Sequence, residues 1–588
     1  MALSVAAGPA SLKLMSVAEI RPGMRGYGLS VFRGTQPERF DIEVIDVLSN
    51  FRPDQDLVLI KTPHPLLEHA GSVAGMSGSP IYIDGRLIGA YAYGWAFGKD
   101  PVAGVTPIAN MLRELDRPLR PRSPMFAPLP TSQPKPRAAV APAHHDAFFA
   151  LSQAGKIRRG GDTTTLRPLA TPLLVGGMPP RVAEILREHL QPLGLSVLEA
   201  ASSGSAREVP AEAQRYVDGG AIAVTLLRGD IQAAGVGTVT YVDNKRVIAF
   251  GHPMLDAGEM RLPTATARVL HILASERSSF KIAEAVSPLG SLVHDRQSTI
   301  VIDTNVSAES IPVHIKLRGV PDAMRSEWNV QAASHRLLTS ALVSSALSSA
   351  LGAATNDMSE MMFRAESVVT LRKHGEQRVI DEGFAPLGVS QPSALGQLRV
   401  FDLVDLSFAN AFETDPIERI DVTFDLRFGR DVSELVGAQL ADGELDPGEP
   451  ARVVLSVRPY EGKVEQRVLE VPLSSTLAGE QLEIEFLPGN MARLEQPVAQ
   501  SLNDLLQIAK SGLPSTSLVV SVQRKGRGVS VASHVLRNLP ASAVDLISPS
   551  RDTARTHAFV TEERRVIPFG RVLTGQAKLA LEVRKEKR

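Results

Sequence analysis

Two short loops of this 588-residue chain carry side chains suited to covalent chemistry. The first, Gly75-Met-Ser-Gly-Ser-Pro80, presents a serine hydroxyl in a turn of small residues. A nucleophilic serine needs an accessible hydroxyl, a sharp turn, and backbone N–H groups aimed at the oxyanion that develops during acyl transfer. Gly75 and Gly78 permit backbone angles that a Cβ forbids, and the Gly75-x-Ser77 spacing suits an oxyanion hole built from the two N–H groups. The second loop, Gly251-His252, ends a strand–turn–strand run that starts at Gly235. An imidazole at a strand end, freed from the ladder by a glycine, can serve as general base toward a serine on another sheet. Ser77 and His252 are therefore the candidate catalytic pair, with Gly75 and Ser77 as oxyanion donors.

Each loop also has a plainer reading. The hexapeptide describes any glycine-rich turn, and a lone histidine after glycine is commonly structural. Context favours chemistry, because a hairpin follows the serine directly: Asp84-Gly85, flanked by Ile81–Ile83 and Leu87–Ala90, suits a tight turn with positive φ at both central residues. Gly235-x-Gly237 is no dinucleotide loop, since no third glycine follows and the next segment is a strand. His144-His145-Asp146 lacks a spaced partner, so no metal site is expected, and no cofactor is implied. His64 and His69, near Pro63 and Pro65, read as surface residues. Trp95, within Tyr91–Phe97, reads first as core packing and second as a cleft wall.

Composition bounds the rest. Lys plus Arg (63) balances Asp plus Glu (64), which gives no sign of a nucleic-acid footprint. With no cysteine, disulfides and thiol catalysis are excluded. No run of about 20 apolar residues occurs, so no spanning helix is expected. Residues 1–19 read as an N-terminal segment that includes a trimmed export signal around Ala6–Ala10.

Residues 20–115 read as a serine-bearing β-barrel closed by a helix over Thr106–Leu115, and the proline-rich 116–170 as a linker. Residues 171–320 read as a histidine-bearing barrel with an α/β insertion. It has a helix from Pro179, strands at Ala221–Leu227, Val236–Val242 and Arg246–Phe250, and a helix over Ala265–Ala274. Residues 321–439 read as a helix (Val330–Leu351) plus strands that include Arg399–Leu406, and 440–588 as a β-sandwich-like domain with a helix over Pro497–Ser511.

Together, Phe40-Asp-Ile-Glu-Val-Ile, Gly75-Met-Ser-Gly-Ser-Pro-Ile, Gly85-Arg-Leu-Ile-Gly-Ala, and Gly235-Val-Gly-Thr through Gly251-His252 resemble the sporulation stage IV protein B (SpoIVB-type) serine peptidase family. Pro288-Leu-Gly-Ser-Leu adds a weaker match. The resemblance covers about residues 20–115 and 220–305. It implies a mainly β, trypsin-like two-barrel core with some α structure, an extracytoplasmic (secreted or periplasmic) location, and Ser–His hydrolysis of a protein or peptide substrate. The alternative it leaves open is a degenerate pseudo-peptidase serving as an extracytoplasmic protein-binding scaffold.

Three features depart from the family. The serine segment precedes the histidine segment, which a permutation of the two barrels would accommodate, since geometry and not chain order defines such a site. No PDZ-like module precedes the peptidase segments. The family's aspartate aligns with Thr62, which leaves Asp256 and Asp56 as candidate acids, with Glu68 nearby.

Overall fold

The computed structural model describes residues 13–95, 100–119, 166–199, 214–276, 278–355, 359–441, 445–492, 499–531, 534–536, 540, 542 and 554–586. Most of the expected linker, the export-signal segment and His144-His145-Asp146 lie outside them. The chain divides into two compact units, the first built from the described residues up to 313 together with 328–349, the second from 314–327 and 350 onward.

The first unit holds two barrels. The strands of the first are β1 (Arg25–Ser30), β2 (Glu38–Arg52), β3 (Gln55–Lys61), β4 (Pro80–Ile83), β5 (Arg86–Gly94) and β6 (Val102–Pro107). They pair in the order β1-β2-β3-β6-β5-β4 and close when β4 returns to β1. Alternation drives this closure: Phe40, Ile42 and Val44 of β2 point inward with Val58 and Ile60 of β3, while the residues between them face outward. The β4–β5 hairpin turns at Asp84 and Gly85, with φ of 51° and 68°, as the residue types demand.

The second barrel comprises β7 (Ala221–Gly229), β8 (Gln232–Asp243), β9 (Arg246–Ala249), β10 (Gly258–Leu273), β11 (Ser279–Arg296) and β12 (Thr299–Asp303). Its order, β7-β8-β9-β12-β11-β10 with β10 returning to β7, repeats the winding of the first. The expected helix over Ala265–Ala274 is instead the second half of β10. Register shifts around Pro263, Ala265, Ala267 and Val269–His271 break the two-residue alternation and give this strand a misleading period.

Helix α1 (Ile108–Leu115) follows β6 and packs Ile108, Met111 and Leu115 into one apolar cluster with Leu87 and Ala90 of the first barrel and Ile248, Val293 and Val301 of the second. The two barrels therefore share a core. The expected proline-led helix is present as α2 (Pro180–Leu190). Within the stretch read as linker, Arg167–Pro168 pairs with the end of β5.

The second unit contains antiparallel strands at Met361–Leu371, Gly375–Ala385 and Ile417–Phe428, then two sheets sharing one core. Leu435, Val453 and Leu455 of one sheet meet Ile484, Phe486 and Val520 of the other, which makes a β-sandwich beginning at Val432. Arg399–Leu406, expected as a strand, forms a helix over Val400–Phe408, whose buried Val400, Leu403, Val404 and Ser407 recur at helical spacing. In residues 328–349, which belong to the first unit, the long helix expected from Val330 starts only at Thr339 and runs to Ala354, because the preceding residues complete a strand, Glu327–Ala333. The helix expected over Pro497–Ser511 spans Leu502–Lys510. Among the described residues no helix is long and apolar enough to cross a membrane.

Candidate active site

The serine loop and the histidine loop occupy the same place in their respective barrels. Residues 75–79 lie on the connection from the third to the fourth strand of the first barrel, and His252 lies on the third-to-fourth connection of the second. The two loops meet: His252 Nε2 is 2.9 Å from Ser77 Oγ across 175 positions of sequence. Ser77 is 2% exposed and His252 1%.

The tautomer follows from the other ring nitrogen. His252 Nδ1 lies 2.8 Å from the carbonyl oxygen of Pro253, a group that can only accept. Nδ1 therefore carries the proton, and the neutral ring presents a bare Nε2 to which the Ser77 hydroxyl donates. That is the arrangement in which an imidazole takes a proton from serine.

Each barrel grips the other's loop. From β8, the Thr238 hydroxyl donates to the Gly75 carbonyl (2.9 Å) and the Thr240 hydroxyl to the Gly78 carbonyl (2.7 Å), while the Thr238 N–H donates to the Ser77 carbonyl (2.8 Å). From β6, the Thr106 hydroxyl donates to the Gly251 carbonyl at 2.6 Å. Contact at Gly78 is so close that a Cβ there would stand 1.9 Å from the Thr238 carbonyl oxygen, and its φ of +99° excludes most side chains as well. Gly237 is small for a similar reason: a Cβ would fall 2.2 Å from the ring of Phe250, which packs there just before the histidine. The glycine pair of Gly235-x-Gly237 thus makes room for a side chain.

Two charged residues missing from the sequence reading support these loops, and both belong to β11. Lys281 is fully buried beneath the serine loop, with its stem against Gly75 and its Nζ donating to Ser30 Oγ (2.9 Å) and Thr238 Oγ1 (3.2 Å). Burial pushes its pKa down to about 7. Ser30 Oγ in turn lies 2.9 Å from Ser79 Oγ, which donates to the Met76 carbonyl. At the far end of β11, the buried Asp295 carboxylate accepts the N–H groups of Met254 and Leu255, both at 2.7 Å, directly after the histidine. Burial raises its pKa to about 6 against the opposing pull of those N–H groups. The sequence signal for Lys281 was its phase, because it alternates with Ser279 and Ala283 on the inward face of the strand.

Asp56 accepts the Asn50 N–H at 2.9 Å and ties the β2–β3 hairpin. Asp256 sits exposed in the loop that Asp295 grips, with a φ of 56°. Thr62, at the aligned acid position, uses both its N–H and its hydroxyl on the Pro101 carbonyl. His64 stacks on Phe32 at 5.0 Å rather than standing free on the surface. Tyr91 and Tyr93 are core residues, and Trp95 is half-buried.

Two identically wound six-stranded barrels with a serine–imidazole pair between them define the trypsin-like double-barrel class. Residues 7–112, which include the described serine barrel through most of α1, match the SpoIVB peptidase S55 family model, a family of serine peptidases. No curated protein and no solved structure gives a significant match.

Proposed function

We propose that the chain is a serine endopeptidase in which Ser77 is the nucleophile and His252 the general base. Ser77 Oγ attacks the substrate carbonyl carbon while its proton passes to Nε2. The imidazolium then delivers that proton to the departing amine, and water hydrolyses the acyl-enzyme by the reverse relay. The N–H groups of Gly75 and Ser77 stabilise the oxyanion, a role supported by the Ser77 N–H donating to no acceptor among the described residues. The observation that carries the reading is the 2.9 Å contact between Ser77 Oγ and His252 Nε2, with the Pro253 carbonyl fixing the tautomer. Asp295 acts as a positioning residue through the backbone of the histidine loop. The proposed substrate is a protein or peptide, in keeping with the peptidase family match, and the proposed place of work is outside the cytoplasm.

A second reading, a degenerate scaffold of the same fold, is favoured by one observation: the Nδ1 contact is with a carbonyl, which orients the ring without neutralising an imidazolium as a carboxylate does. Hydrolysis of an unfolded protein such as casein separates the two. The peptidase reading expects turnover that Ser77→Ala abolishes, and it fails if the folded wild-type chain and Ser77→Ala are equally inert.

A further inference from the structure

We propose that Arg167–Leu169 is an internal mimic of the peptide substrate, seated along the edge of β5 where an extended peptide binds, and that Leu169 marks an aliphatic preference just before the bond cut. This rests on the peptidase reading above. Extended peptides are recognised by adding a strand to a free sheet edge, with backbone bonds for affinity and side-chain slots for specificity. Arg167 and Pro168 do this to β5, pairing antiparallel with Gly94 and Tyr93, and the Leu169 N–H continues the ladder to the Ala92 carbonyl at 3.0 Å.

That stretch of β5 borders the catalytic pair. The Gly78 N–H donates to the Tyr91 carbonyl and the Tyr91 N–H to the Ser79 carbonyl, so the strand runs beside the serine loop. On its other side, the methyl groups of Ala90 and Ala92 stand 3.0 and 2.9 Å from where a Cβ on Gly251 would be, next to His252. Leu169 therefore attaches one residue beyond the serine-loop clasp.

Its side chain fills a defined slot. Leu169 Cδ2 lies 2.9 Å, and Ser72 Oγ 2.7 Å, from the position a Cβ on Gly94 would take. Gly94 keeps the slot open, and Ser72 forms its other wall on the segment leading to Ser77. Pro168 fits a strand on a single edge, where alternate residues direct their nitrogen away from the ladder. Downstream, the Thr171 N–H donates to the Gly194 carbonyl and the chain enters the sheet of the second barrel, so the occupant is anchored at its downstream end as well as along β5. Held in this way, it competes with free peptide at high effective concentration. The near-zero exposure of Ser77 and His252 fits a site whose groove is already filled.

Leu169→Ser in the full chain tests this. Removing the anchor is expected to raise both fluorophosphonate labelling of Ser77 and hydrolysis of the aminomethylcoumarin amide of Leu-Arg-Pro-Leu by about tenfold or more, while Leu169→Val stays near wild type. Equal rates in folded wild type and Leu169→Ser overturn the mimic and leave the peptidase reading standing. Absence of labelling in every folded protein removes the peptidase reading and the mimic with it. Should Leu169→Ser misfold, the wild-type chain decides with peptides alone: Leu-Arg-Pro-Leu is expected to turn over at least about tenfold faster than Leu-Arg-Pro-Asp. Equal turnover of the two overturns the slot.

Discussion

The serine barrel and the histidine barrel have the same strand order and place their functional residue on the same connection, yet they hold those connections differently. The serine loop is held from both barrels, by Tyr91 and Ser30 of its own and by Thr238, Thr240 and Lys281 of the partner. The histidine loop is held mainly from within, by Asp295 of its own barrel, with one external bond from Thr106. Strand β11 links the two schemes, with Lys281 near one end and Asp295 near the other. A nucleophile with half of its support in the opposite barrel reaches full register when the barrels are docked, whereas the base is preset mainly by its own barrel. Docking therefore completes the catalytic geometry.

Gly78→Ala should break that comparison most severely. The added methyl collides with the Thr238 carbonyl and occupies a φ unsuited to it, so the serine loop cannot dock. We expect a loss of about 3 kcal/mol or more in urea unfolding and at least about a thousandfold in kcat/KM. A variant with near-normal turnover would show that docking does not set the geometry.

Asp295→Asn tests the preset loop. The amide keeps the shape but replaces one charged acceptor, and kcat/KM should fall on the order of tenfold to a hundredfold. The sign of its pH effect is definite. The folded-state pKa is raised from 3.8 to about 6, so the stability this group contributes is full below 3.8 and is lost as pH rises through about 6. Urea titrations of wild type against Asp295→Asn should differ in slope across that window, with the Asn variant flatter.

Lys281→Met should have the smallest effect on rate and the opposite sign with pH. Its folded pKa is depressed from 10.5 to about 7, so the unfolded chain binds more protons between those values and wild-type stability rises with pH there. The advantage of Met over Lys should be greatest below pH 7 and shrink toward pH 10.5. A difference independent of pH would mean that the ammonium is not desolvated.

Much of this was legible in the residues. The serine turn, the Asp84-Gly85 hairpin and the Gly251-His252 strand end all depend on local backbone chemistry, which sequence displays directly. The apolar periods of β10 and of Val400–Phe408 misled, the first because bulges disrupt its alternation and the second because a short run fits either element. The clasps by Thr238 and Thr240 were not readable, since nothing local to a threonine names a carbonyl more than 160 positions away. Arg167–Leu169 was hidden for a related reason: its proline and its neighbours look like spacer, and only the facing edge of β5 makes it a strand.

Mapping a fluorophosphonate adduct by mass spectrometry tests the shared-proton pair most directly. A single adduct on Ser77 is expected, forming at least about a hundredfold more slowly in His252→Ala. An adduct on another residue, or labelling of Ser77 at an undiminished rate without the imidazole, would contradict it.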